Sequence, residues 1–378
     1  MLEMEEEQQE QTSFSLAETR HIVRDLFAPN PWIYWADFLV SLVVGVICFG
    51  LVRRAPTWLP GPNGIILEIF LFLVSSLLYY RAALFIHEIV HFRSGSFRVF
   101  RVVWNLLCGI PFLLPSFTYY THLDHHRRKH FGTKQDGEYL PLGHQSTWAI
   151  WFYLSQSLII PGLAVVRFML LTPLTWVFPG VRRWVHQRAS SLVMDPSYVR
   201  PLPARDVLRV WRTQELASCL FCWAVAVLLI RGMLPGANPT APFPVLRGVL
   251  PLGFLAQVYL TGVVVVLINS IRTLGAHRFF NDGREMTFVE QLLDSVNYPR
   301  RPILTGLWAP VGLRFHALHH LFPSLPYHNL AEAHRRLMAE LPADSPYRAT
   351  EESSLWSALR RLWRLARKPG ERPVMPTA

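Results

Sequence analysis

The stretch GIILEIFLFLVSSLLYYRAALFIHEIVH, residues 64–91, is apolar over a membrane-crossing length and ends in two histidines four residues apart. About 20 consecutive apolar residues suffice for a helix to span the hydrocarbon layer. On that helix, positions i and i+4 stand on one face, so His87 and His91 can reach a common point. The stretch therefore predicts a membrane helix that carries metal-ligand chemistry at one end.

Composition agrees. The chain has 378 residues, 51% of them hydrophobic and only 17% charged, which is too apolar for a soluble enzyme of this size. Besides residues 64–89, three further runs reach spanning length: 32–52, 216–234 and 249–271. The apolar run 148–178 is interrupted by Pro161 and Pro173, and reads as a bent hairpin that dips into the membrane rather than as two more spans. The expected fold is an all-α integral membrane protein, with four transmembrane helices and a cytoplasmic helical cap carrying a histidine-rich di-metal site. Its expected divisions are an N-terminal cytoplasmic tail (1–31), a membrane domain (32–348) and a basic amphipathic helix with its tail (349–378).

Four spans place both termini on one side. The loops on the other side hold only Arg53, Arg54, Arg231 and Arg247, so the positive-inside rule puts the termini and the long central segment in the cytoplasm. The net charge of +11 then faces anionic headgroups, and nucleic acid is not expected as a partner. The acidic start, residues 1–11, lacks the basic flank and apolar core of a signal peptide and reads as a disordered tail. Cys219 and Cys222 fall inside a span with no second pair, so they read as small buried residues.

The histidines carry the chemistry. HEIVH contributes His87 and His91, and alone it has the form of a zincin motif with Glu88 as general base. YTHLDHHRRKHFGT places His122, His125 and His126 in the spacing HxxHH. FHALHHLFP repeats that spacing with His316, His319 and His320. In a helix, i, i+3 and i+4 share a face, so each HxxHH is expected to offer three nitrogens to one point. His277 follows the last span. His130 and His328 read as supporting residues, and His21, His144, His186 and His334 as ordinary ones. Zinc takes four ligands, so nine imidazoles call for two metals with four or five nitrogens each. Iron suits imidazole and does oxygen chemistry on unactivated carbon.

These boxes, their order and their placement around four spans resemble the membrane-bound fatty acid desaturase and hydroxylase family, over roughly residues 32–348. The resemblance implies two iron ions held by His87, His91, His122, His125, His126, His277, His316, His319 and His320, with O2 as co-substrate. NSIRTLGAH resembles the Asn-Ser-x-x-His segment of stearoyl-CoA desaturases with about one extra helical turn, so His277 carries over well and Asn269 less securely. The implied reaction removes hydrogen from a fatty acyl chain, with desaturation expected first. Hydroxylation or oxidative decarboxylation of a free fatty acid to a terminal alkene is the alternative, and a metal transporter or non-catalytic metal-binding membrane protein the remote one.

Glu88, Asp124, Asp136 and Glu138 are candidates for holding imidazoles in place. No cytochrome b5-like His-Pro-Gly-Gly, Rossmann fingerprint or iron–sulfur cysteine set is visible, so electrons are expected from a separate ferredoxin or cytochrome b5 type donor. The segment SSLWSALRRLWRLARK, residues 353–368, separates apolar from basic residues at 100 degrees per residue and is expected to lie on anionic membrane lipids. A bacterial inner membrane is the expected location.

Overall fold

A computed structural model describes residues 14–92, 95, 97–233 and 252–368. The acidic start, and Arg93, Arg247 and the ends of two expected spans, lie outside the described residues. Among the described residues helices are the main regular elements, with three isolated β-bridges and no longer strand.

Helix α1, Pro31–Val52, starts where Asn30 accepts a hydrogen bond from the Trp32 amide and Pro31 occupies the first turn, two signals that begin helices. Helix α2, Pro62–His91, packs antiparallel against it. A Cβ on Gly45 would come within 3.1 Å of the Tyr79 ring, so the missing side chain sets how closely the two helices approach. Near the histidine end, Arg81 pairs with Asp37 at 2.5 Å, and the Tyr327 hydroxyl donates to the same carboxylate at 2.7 Å.

The cap and the remaining membrane segments follow. They are α3, His122–His125; α4, Thr147–Ser155; α5, Ile160–Val177; α6, Arg205–Met233; and α7, Leu252–Ala276. Beyond the membrane segments come α8, Phe288–Asp294; α9, His316–Leu321; α10, Leu330–Glu340; and α11, Leu355–Ala366.

Five helices, α1, α2, α5, α6 and α7, are long and apolar enough to cross a membrane, one more than the sequence predicts. The extra one is α5, the least apolar of the five at a mean hydropathy of 1.6. Its prolines do not break it: each occupies the first turn of a helical segment, with a π-helical stretch, residues 166–171, between them. Neighbours give its direction. Tyr153 on α4 lies against Ser270 and Thr273 near the histidine end of α7. Leu158 then accepts from the Tyr259 hydroxyl, about 20 Å further down α7 at 1.5 Å per residue. Past Pro161, whose ring a Cβ on Gly262 would meet at 3.2 Å, the chain climbs again. The Met169 carbonyl accepts from Trp223 deep on α6 at 3.1 Å, and Trp176 stacks under Arg212 near that helix's start. Residues 147–177 thus go down and return, as a bent hairpin.

Both described ends of the chain rest on the histidine end. Arg336 of α10 pairs with Asp25 at 2.7 Å, and Asn329 donates to the Leu26 carbonyl at 2.7 Å. Helix α11 packs beside Gly275 of α7 and Gly143, with Ala358, Leu362 and Ala366 buried. Two ends on one side require an even number of crossings. The amphipathic sector of α11 differs from expectation: most of its apolar residues close the cap against protein, because Leu359, Leu362 and Trp363 fill a gap against Leu274 and Phe279. Trp356, 64% exposed, is the large side chain of that sector left open.

The hairpin is tied to α6 by charge. Arg167 donates to Glu215 and to the Ser190 and Thr172 hydroxyls, all buried, and to the part-buried Ala189 carbonyl. Removing one member of a buried pair strands the other. Glu215→Leu is expected to cost about 3 kcal/mol, while Arg167→Leu combined with Glu215→Leu costs less than either single change. Thermal unfolding in detergent, followed by tryptophan fluorescence, checks this; additive losses would refute the coupling.

Candidate metal centre

Nine histidines meet beneath the cap in two adjoining groups. His87, His91, His122, His126 and His319 form one, and His125, His277, His316 and His320 form the other; within each, one nitrogen per ring lies within 4.8 Å of the rest. The rings of His126 and His320 face each other across the boundary at 4.3 Å. His21, His130, His144, His186, His328 and His334 belong to neither group. His130 turns to Asp124 at 3.3 Å, and His328 accepts from the Asn30 amide at 3.1 Å.

Each HxxHH box divides between the groups rather than serving one. His122 and His126 go one way and His125 the other; His316 and His320 go one way and His319 the other. The helix explains this correction. At 100 degrees per residue, i+4 lies about 40 degrees to one side of i and i+3 about 60 degrees to the other. A box that lies edge-on between two centres therefore feeds both.

Very short helices hold the boxes in this pose. Helix α3 is a single turn. Helix α9 follows a turn in which Val311 has φ 52° and Gly312 φ 71°; a Cβ on Gly312 would also meet Leu330 at 2.6 Å. Asn297 then anchors α9: its side chain accepts from the Leu318 amide at 3.1 Å and donates to Thr350 at 2.9 Å. An isolated bridge between His277 and Ser295 brings in the last imidazole.

Carboxylates fix several rings through Nδ1. His125 bonds Asp136 at 2.7 Å and His122 bonds Glu138 at 2.9 Å; His277 faces Asp294 at 3.2 Å. An Nδ1–H given to a carboxylate leaves Nε2 bare and aimed at the centre. Of the sequence candidates, Asp136 and Glu138 take this place. Asp124 instead pairs with Arg127 and His130. Glu88 lies 3.9 Å from His87 Nδ1 and is held by the Tyr34 hydroxyl at 2.6 Å. That pose, with five imidazoles grouped, departs from the three-ligand zincin pattern. Asp294 was missed: it lies 17 positions after His277 in an unremarkable acidic helix end. Asn269 receives Arg272 at 3.3 Å and joins neither group.

The donor set fits metal. His122 and His126 approach Nε2 to Nε2 at 2.9 Å, His319 reaches His91 and His126 at 3.1 Å, and His316 reaches His277 at 3.0 Å and His320 at 3.1 Å. Burial holds His122, His126, His316, His319 and His320 well below the ordinary imidazole value, and neighbouring imidazoles push further in that direction. Burial opposes charge on His125 too, but the facing Asp136 carboxylate prevails and raises it. Neutral lone pairs at such distances repel unless a cation lies between them. Both nitrogens of His87 are buried without a hydrogen-bond partner, which a metal would satisfy. The four cysteines, three of them buried, are free and stand apart.

Single losses should weigh differently. The four-member group keeps three imidazoles after His316→Ala, whereas the other keeps four after His91→Ala. His316→Ala is therefore expected to release more metal on purification, with His130→Ala retaining the full content by elemental analysis. Asp136→Asn should weaken metal affinity about ten- to a hundredfold. Equal metal content in all four proteins would refute the grouping.

The comparisons agree with this architecture. The fatty acid desaturase family matches residues 56–351. A ceramide hydroxylase of Caulobacter vibrioides is 38% identical over 352 residues, covering 92% of each chain. No solved structure matches the chain. With its helices and grouped histidines in place, this protein belongs to the fatty acid desaturase family.

Proposed function

We propose that this protein hydroxylates an acyl chain of a ceramide-class lipid, using two iron ions held by the nine clustered histidines. The observation that carries the reading is the 38% identity to a ceramide hydroxylase over 92% of both chains, joined to two imidazole groups able to hold a metal each. Breaking an unactivated C–H bond is beyond side-chain acids and bases and calls for a redox cofactor. Bound iron would supply O2 activation at this site.

The chain's own residues do the rest. Asp136, Glu138 and Asp294 keep three rings oriented through Nδ1. Burial of the histidines excludes bulk water, which protects a reactive site from side reactions. The balance is one C–H, one O2, two electrons and two protons in, one C–OH and one water out. Electrons come from a separate ferredoxin or cytochrome b5 type donor docking on the histidine side, which this reading places in the cytoplasm of a bacterial inner membrane. Desaturation, the first expectation from sequence, becomes the second reading, supported by the family's description; it would take two hydrogens from the chain and send both oxygens to water.

Expression in a ceramide-producing host with a matched donor, under isotopically labelled oxygen, tests this. Ceramides are expected to gain one labelled oxygen, and His320→Ala to abolish the gain with expression intact. Unsaturated, oxygen-free products would replace the proposal with desaturation, and unchanged lipids would end both.

A further inference from the structure

The short helix Pro302–Trp308 lies between the membrane segments and the third histidine box. It presents Ile303, Leu304 and Leu307 to the outside, 86%, 53% and 48% exposed, and no other large apolar side chain among the described residues is as exposed as Ile303. At 3.6 residues per turn these three share one sector of about 100 degrees. Thr305, on the opposite side, is buried, and its hydroxyl donates to the Arg301 carbonyl at 3.0 Å. The pattern is inverted for a helix in water, whose apolar stripe faces the protein.

The surroundings of the helix favour lipid. Its Trp308 carbonyl accepts from the Tyr80 hydroxyl, near the histidine end of α2, at 3.0 Å. The Trp308 ring meets Tyr298 at 4.9 Å, and the Tyr298 hydroxyl donates to the Gly275 carbonyl at the end of α7 at 2.5 Å. The helix therefore lies where two long apolar helices reach the cap. Beyond Leu260, α7 itself exposes no large apolar side chain, and the short helix is one of the elements that contact it. Arg300 and Arg301, both exposed, precede the helix and form no ion pair with any described residue. Open apolar side chains beside unpaired arginines match the boundary between acyl chains and anionic headgroups.

We infer that residues 300–308 insert into the leaflet on the histidine side, with Ile303, Leu304 and Leu307 among the acyl chains and Arg300 and Arg301 on anionic phospholipid headgroups. This goes beyond the proposed hydroxylation and holds for any reaction at the metal centre. Arg314, two residues before His316, donates to the Pro299 carbonyl at 3.3 Å and to the Thr305 hydroxyl at 3.5 Å. The lipid-held helix is thus tied to the box that supplies His316, His319 and His320.

The test uses the metal-loaded full chain in nanodiscs of equal phosphatidylglycerol and phosphatidylcholine. It carries a photoreactive side chain as Ile303→benzoylphenylalanine or Leu307→benzoylphenylalanine, with Phe70→benzoylphenylalanine, at an exposed position within α2, as reference. After illumination, mass spectrometry identifies what each position captures. Positions 303 and 307 are expected to capture phospholipid with yields comparable to position 70. Phosphatidylglycerol should exceed phosphatidylcholine by about fivefold or more at both, the value of a basic residue near an anionic surface. Arg300→Gln combined with Arg301→Asn should bring that ratio close to one at unchanged metal content; asparagine accepts the left-handed backbone of position 301, φ 51°. Should position 303 disturb folding, position 307 carries the same test. Absence of lipid adducts at both positions, or capture of a second copy of the chain in their place, overturns the inference. So does equal capture of the two lipids with both arginines present, or a phosphatidylglycerol preference that survives their removal.

Discussion

Nine imidazoles from four separate stretches of chain crowd together, seven of them within hydrogen-bonding distance of another, in a buried volume that keeps most of them neutral. Bare lone pairs so placed repel, and burial removes the water that would relieve them. The rest of the structure depends on this constraint. Short helices aim the rings, carboxylates hold their far nitrogens, and the surrounding packing keeps the assembly from spreading. On the proposed reading, two shared cations turn that cost into cohesion, so metal binding and folding of the cap are coupled.

The division of each HxxHH box between two centres follows from this crowding. A single helix cannot aim i, i+3 and i+4 at one point without bending its own geometry, but it can lie between two points and feed both. The box helices are a single turn and six residues long, so neighbours must set their orientation. Asn297 does this for α9 and Asp136 for the loop after α3. The aromatic packing of Tyr34, Phe85, Phe100 and Tyr327 supports α2 from behind.

Polar side chains line the cavity among the histidines. Arg272 and Glu138 both stand on its walls. The membrane helices also deliver the chemistry to one depth. The hairpin 147–177 reaches far down α7 and returns, filling space beside the other long apolar helices.

Much was legible in the sequence because its signals are local. Apolar runs of sufficient length specify helices α1, α2, α6 and α7 wherever they fold. The nine clustered histidines, with His277 carried by its family resemblance, are the nine that the structure groups. Proline positions marked the hairpin, although the helix beyond Pro161 is continuous because a π-helical stretch absorbs Pro173. Tertiary structure alone decided the rest. The split of each box depends on the angle at which a short helix sits between its neighbours. Asp294 serves His277 only because a bridge folds Ser295 back onto that ring. The packing of α7 turns Arg272 inward, where it is buried. Helix α11 carries a lipid-seeking pattern, yet its apolar side found protein first. Spacing records which residues can share a face; only packing settles what that face meets.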